Sequence, residues 1–191
     1  MNADKSSCPL CEAEIEQAVM FLHDGGVVAH ACEGVWGFAC DPYDETAVRH
    51  ILELKNRDVA QGLLVIGGTT ADFEEELCRL PTKKRKIVEK SWPGPSSWIV
   101  FTDSYPAWIT GDKGSVGIRV PGHRQARALA AGFGRPIVST SANRSGEASL
   151  TDYNSVCREF GKTVNFVLPG KIAGERGPSK IRIAATGELV R

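Results

Sequence analysis

Four of the ten residues from 137 to 146, Ile-Val-Ser-Thr-Ser-Ala-Asn-Arg-Ser-Gly, carry a hydroxyl, one carries an amide and one a guanidinium, and none is acidic. Hydroxyls, an amide and the free N–H groups of a tight turn suit an anionic ligand. The apolar pair Ile137-Val138 follows Pro136 and reads as the end of a buried strand. Open α/β sheets hold ligands at the carboxyl ends of strands, which is where this loop falls. An ordinary polar turn has the same composition, and this stretch alone leaves both readings open. A second candidate is Lys55-Asn56-Arg57. Cations in a last helical turn often only complement its dipole. Residues 31–41 form a third, a loop holding Glu33, Gly34, Trp36, Gly37 and Cys40. Either its glycines bring backbone close to a flat ligand, or Trp36 plugs the core.

Positioning these segments requires a scaffold, and the apolar pattern supplies one. Residues 12–23 read as a helix with Ile15, Val19 and Leu22 on one face and Gly25-Gly26 as its stop. Residues 27–30 read as a short strand. Asp44 caps a second helix, with Val48, Ile51 and Leu52 inward, that ends at Lys55-Asn56-Arg57. Residues 62–66 form an aliphatic strand, and helical stretches follow near 72–80 and 83–91. Trp92-Pro93-Gly94-Pro95 is a rigid turn. Strands at 98–101 and 116–120 come next, the latter placing Arg119 just before Pro121, then a helix at 123–131. Beyond the hydroxyl segment lie a helix at 152–160, a strand at 164–168 and a glycine-rich loop at 169–178 with Lys171 and Arg176. Residues 179–184 and 189–191 read as a closing hairpin. This alternation predicts an α/β fold, a single-domain open sheet with flanking helices, mixed rather than parallel because of the late hairpin. The expected division is a tail at 1–13 and one domain at 14–191.

The 23 basic and 23 acidic residues balance, but unevenly along the chain. Residues 1–110 hold 10 basic against 17 acidic side chains; residues 111–191 hold 13 against 6. A basic half that contains the hydroxyl segment points to a phosphate-bearing ligand or RNA, or else to a solvated basic face. No apolar run approaches the ~20 residues of a membrane helix, and residues 1–7 lack a signal-peptide core, so a cytoplasmic place and no membrane partner are expected. Cys8-Pro-Leu-Cys11 has the spacing of half a zinc site. The other half is missing, so free thiols and no protein-bound metal are expected. Gly161-Lys162-Thr163 ends like a phosphate-binding loop, but Val156 stands where the first glycine belongs. The chain also has no G-x-G-x-x-G opening a helix, no H-E-x-x-H and no G-x-S-x-G. If it is an enzyme, it works by positioning and electrostatics.

Lys55-Asn56-Arg57 followed by Ser141-Ala142-Asn143 resembles the K-x-R and S-x-N signature of the YrdC/TsaC family of threonylcarbamoyl-AMP synthases. Glu33-Gly-Val-Trp-Gly37, Cys40-Asp-Pro42, Leu52-Glu-Leu-Lys55, Trp92-Pro-Gly-Pro95, Ile118-Arg-Val-Pro121 and Pro178-Ser179 agree in order and spacing. The likeness spans roughly residues 14–191, the length of the short bacterial form. Three positions depart from it. Ala31-Cys32 replaces Pro-Thr, putting a weaker thiol donor where a hydroxyl is usual. Asp58 replaces a proline, and its charge would partly offset Lys55 and Arg57. Ile183 stands in place of an aspartate.

The resemblance implies a twisted α/β sheet with a wide basic concave cavity. The implied activity is formation of L-threonylcarbamoyladenylate and pyrophosphate from L-threonine, bicarbonate and ATP. That product serves threonylcarbamoylation of adenosine 37 in tRNA by downstream transfer proteins. Lys55 and Arg57 become the candidate catalytic residues; with Arg119, Ser141, Asn143 and Arg191 they are the candidate ATP ligands. Cys32, Ser139 and Ser179 are the candidate threonine ligands. Mg²⁺ would arrive with the triphosphate rather than sit in a protein cage, and tRNA or RNA would meet the basic concave face. Two rival readings are an RNA-binding protein of rRNA or ribosome maturation and a carbamoyl-adenylate former fed by carbamoyl phosphate.

Overall fold

The computed structural model describes residues 9–174 and 177–191; Cys8, and with it the Cys8–Cys11 pair, and Arg176 lie outside the described residues. The strands are β1 (Val28–Ala31), β2 (Trp36–Ala39), β3 (Leu64–Ile66), β4 (Ser96–Phe101), β5 (Ser115–Arg119), β6 (Ile137–Val138), β7 (Thr140–Ser141), β8 (Phe166–Val167) and β9 (Lys180–Ile183). The helices are α1 (Pro9–His23), α2 (Glu45–Lys55), α3 (Glu74–Leu77), α4 (Thr82–Lys90), α5 (Ala107–Thr110), α6 (Arg124–Phe133) and α7 (Tyr153–Phe160).

The fold is mixed α/β as expected, but the strands divide into two sheets rather than one. The first has the order β7-β2-β1-β8 and the second β6-β3-β5-β4-β9. Both combine parallel and antiparallel pairs: β1 runs antiparallel to β2 and parallel to β8, while β5 runs parallel to β3 and antiparallel to β4. The closing segment turns back on itself as the expected hairpin does, but its first arm is also part of the larger sheet. That arm, β9, pairs parallel with β4, while the second arm folds back antiparallel on β9 through the Arg182–Leu189 bridge and backbone bonds such as Ile181 N to Arg191 O and Ile183 N to Glu188 O, both 2.9 Å.

Residues 31–41, expected as a loop, fold into a β-hairpin in which His30 faces Gly37 and Ala29 faces Phe38. Both faces of it are covered. Ala29, Ala31, Trp36 and Phe38 enter the main core, while Val28, Cys32 and Ala39 join Leu22, Leu129 and Phe133 beneath α1 and α6. Side chains as large as Trp36 and Phe38, fully buried here, each contribute about 1.5–3 kcal/mol by leaving water. Trp36 is thus a core residue, its ring 5.8 Å from that of Tyr153. The expected helix at 72–80 is broken into a 3-10 turn (Thr70–Phe73) and the single turn of α3. In the basic run at 83–86, Arg85 pairs with Glu74 and Glu89 and Lys84 donates to the Thr186 carbonyl.

Candidate active site

Helix α2 delivers two cations in two directions. Asp44 starts it by accepting from Ala47 N at 3.0 Å. Asn56 ends it in the left-handed conformation, φ 47°, donating to Glu53 O, while Arg57 N donates to Leu52 O at 2.9 Å. These are the two bonds of a Schellman closure, with asparagine in the place glycine usually takes. Lys55 therefore stays in the last turn and faces inward, whereas Arg57 leaves the helix axis.

The hydroxyl segment passes from one sheet to the other. Residues Ile137–Val138 pair with β3 in the five-stranded sheet, and Thr140–Ser141 pair with β2 in the four-stranded sheet. Ser139 is the crossing residue, tied to β3 by its N–H to Leu64 O at 2.9 Å. A Cβ on Gly37 would lie 3.0 Å from Thr140 O, so the missing side chain lets β7 come this close. A cavity of about 270 Å³ opens at this crossing, lined by residues of both sheets. Four cations line it, Arg57, Lys113, Arg119 and Arg191, along with the hydroxyls of Ser139, Thr140, Ser141 and Ser179.

The family model described as "Telomere recombination" (Sua5, YciO, YrdC) matches residues 20–191. The chain belongs to the Sua5/YciO/YrdC family. A threonylcarbamoyl-AMP synthase of Hahella chejuensis is 41% identical over 180 residues, spanning 93% of this chain and 97% of the relative. One of Stutzerimonas stutzeri is 39% identical over 178 residues, spanning 93% and 96%. Among solved structures, P. abyssi Sua5 complexed with L-threonine superposes with a TM-score of 0.84 at 28% identity. That match covers 90% of the present chain, which spans about half of the P. abyssi protein (51%).

In this member of the Sua5/YciO/YrdC family, Lys55 and Asn143 are turned toward each other and do not line the cavity. Lys55 is 3% exposed. Its ammonium donates to Ser141 O at 2.5 Å, Asn143 O at 3.0 Å and Asn143 Oδ1 at 3.2 Å, which uses its three protons. Ser141 Oγ donates to Asn143 Oδ1 at 2.6 Å, and Asn143 Nδ2 donates to the carbonyls of Arg144 and Glu147. Lys and S-x-N together clamp the loop behind the cavity wall. Burial, helped by the charges of Arg57 and Arg191, pulls the Lys55 ammonium down to about 8.

Arg57 donates through Nη2 to Gly62 O at 2.9 Å, and its buried Nε has no protein partner. Burial and then the charge of Arg191 lower its pKa. Two guanidiniums that oppose each other's charge, one with an idle donor, form a site that an anion would relieve. Arg119 is engaged differently. It forms a buried ion pair with Glu33 and donates from Nε to Gly94 O at 2.8 Å. Glu33 also accepts from Gly122 N at 2.6 Å and from Cys32 Sγ at 2.7 Å. Burial works against the Glu33 charge, but Arg119 and these donors prevail and hold its carboxyl below the usual range. Arg119 thus reaches the cavity already largely neutralised.

Cys32 lines the cavity with its thiol pointed at Glu33. Ser179 also lines it, 2.8 Å from Ser97 Oγ, and Arg191 lies 3.5 Å from Ser179 O. The carboxylate of Asp58 is occupied by Ala60 N at 2.9 Å, capping the 3-10 turn that follows Arg57. Sequence reasoning missed Lys113 as a cavity cation and Glu33 as the counter-ion of Arg119. The glycines flanking Lys113, at 111 and 114, are its one local signal. Among the described residues no group of three His, Cys, Asp or Glu side chains is arranged to hold a metal, and no helix is long and apolar enough to cross a membrane.

Proposed function

We propose that this chain forms L-threonylcarbamoyladenylate and pyrophosphate from L-threonine, bicarbonate and ATP. The observation that carries the reading is the convergence of Arg57, Arg191 and Lys113 with the hydroxyl-bearing residues Ser139, Thr140, Ser141 and Ser179 on one cavity. The near full-length similarity to relatives named threonylcarbamoyl-AMP synthase supports the choice of substrates.

In this reaction bicarbonate gives up hydroxide to yield CO₂, the threonine amine forms a C–N bond to it and loses a proton, and the proton and hydroxide leave as water, giving N-carboxy-threonine. Its new carboxylate attacks the α-phosphorus of ATP in line, and pyrophosphate leaves. Negative charge grows on the phosphoryl oxygens and on the departing pyrophosphate, and fixed cations in a partly desolvated site stabilise it. Arg57 and Arg191 serve as this clamp, Arg57 as a planar fork. Lys55 adds its field from behind the wall and holds the loop carrying Ser141 and Asn143. Arg119, paired with Glu33, shapes the cavity more than it attracts anions. Cys32, Ser139 and Ser179 line the same space and take the amino acid. Mg²⁺ enters with the triphosphate. The adenylate is passed on for modification of adenosine 37 of tRNA by transfer proteins in the cytoplasm, and the basic half of the chain offers tRNA a surface. Cations gathered in a cavity favour this reading over a general RNA-binding protein.

Mass spectrometry of the product made from ATP, threonine and bicarbonate tests the proposal. Arg57→Ala should lower threonine- and bicarbonate-dependent pyrophosphate release by a factor corresponding to ~2–4 kcal/mol, the usual cost of one such contact. Pyrophosphate release that ignores threonine, or full activity in the variant, would remove this mechanism.

A further inference from the structure

His30 is a buried titratable group that the mechanism above does not use. It sits in β1, fully buried, opposite Gly37. Its Nδ1 lies 3.1 Å from Ala31 O and its Nε2 lies 3.3 Å from Ser139 Oγ. A carbonyl oxygen only accepts, so Nδ1 carries the ring proton. Burial keeps the ring neutral by pulling its pKa down to about 4; His123, Glu33 and Arg119 are the charged or titratable groups acting on it. Nε2 is then a bare lone pair, and Ser139 must donate to it.

We propose that His30 is a positioning residue for the amino-acid substrate: its Nε2 takes the hydroxyl proton of Ser139, so that Ser139 Oγ faces the cavity as an acceptor for the amino N–H of threonine. The inference rests on the synthase reading and names the polarity of one of its contacts. A serine hydroxyl has one proton and two lone pairs. Left alone it would rotate to suit donor or acceptor alike. Spending its proton on His30 removes that choice. The crossing residue of the two sheets thereby becomes selective for a donor. Gly37 leaves room beside this polar pair, since a Cβ there would lie 3.5 Å from both His30 Nε2 and Ser139 Oγ.

The test is steady-state pyrophosphate release at saturating ATP and bicarbonate with threonine varied, then with ATP varied. His30→Phe keeps a ring but has no acceptor. It should raise the threonine KM roughly fivefold, the weight of the neutral hydrogen bond that fixes the Ser139 rotor, with the ATP KM unchanged. In a Ser139→Ala background the same substitution should change the threonine KM no further. His30→Gln, whose Oε1 can stand where Nε2 stood, should stay within about threefold of the unsubstituted protein. An unchanged threonine KM in His30→Phe, or an equal rise in the Ser139→Ala background, overturns the inference and leaves the synthase reading intact. If the unsubstituted protein releases no threonine-dependent pyrophosphate, both fall. A second measurement needs no substitution: ¹⁵N NMR of the histidine ring in the full chain should report the Nδ1–H tautomer, and the Nε2–H tautomer overturns the proposal even if His30→Phe fails to fold.

Discussion

Raising the pH should weaken ATP binding through Lys55. Its ammonium titrates near 8 instead of 10.5, first because it is buried and then because Arg57 and Arg191 lie close by. The difference corresponds to about 3 kcal/mol against the charged form. A bound triphosphate neutralises the opposing guanidiniums and lifts the pKa back toward its ordinary value. Below pH 8 both the free and the bound protein hold the proton, and affinity is flat. Above it only the bound form does, so binding takes up a proton and Kd rises up to tenfold per pH unit. Burial, the largest cause, persists in the complex, so between about pH 7 and about pH 9.5 the expected loss stays below the about 30-fold that full restoration would give. Deprotonation also removes one of the three donors that fix Ser141 and Asn143, which acts in the same direction. Isothermal titration with MgATP in two buffers of different ionisation enthalpy gives both Kd and proton uptake. Lys55→Met should bind ATP more weakly at pH 7 and show no slope. A Kd that stays level across this range, or a slope that survives in Lys55→Met, refutes the reasoning.

His30 makes the fold acid-sensitive. Its folded pKa of about 4 lies below the ordinary 6.5, so the unfolded chain binds more protons between these values. Stability present above pH 6.5 is therefore lost as the pH falls toward 4, by about 3 kcal/mol at most; urea titrations of His30→Gln should lack this component. Cys32 should resist alkylation, because burial above all pushes its thiol up to about 12. Iodoacetamide at about pH 8, followed by peptide mass mapping, should label exposed Cys78 and spare Cys32; equal labelling would contradict the buried thiol–carboxylate contact. Glu33→Ala should lower the unfolding free energy by about 3–5 kcal/mol, since it leaves the Arg119 charge buried without its counter-ion; a thermal melt close to that of the unsubstituted protein would show the pair to be dispensable.

Much of this was legible because local chemistry and final structure agree. The cap at Asp44, the inward Val48, Ile51 and Leu52, and the stop at Asn56 are local devices, and α2 forms where they say. The first strand of the hairpin was legible at 27–30, but the second, β2, was not. It is four residues long, is buried on both faces and carries a glycine, so it lacks the alternation that marks a half-buried strand. The pairing of Thr140–Ser141 with β2 depends on Gly37, 103 positions earlier in the sequence. Division into two sheets follows from that crossing and leaves no mark in hydrophobic periodicity. At the site, the sequence pattern singled out Lys55, Arg57, Ser141 and Asn143, but types and spacing do not record burial. Only the folded arrangement separates Arg57, which lines the cavity, from Lys55 and Asn143, which satisfy each other behind it.

The passage of one strand from sheet to sheet at Ser139 has a mechanical consequence. Any displacement of one sheet relative to the other is transmitted along residues 137–141 directly into the cavity wall. Warming that loosens the junction of the two sheets will therefore spoil the catalytic geometry while each sheet still keeps its own hydrogen bonds, so that activity fades before circular dichroism records any melting.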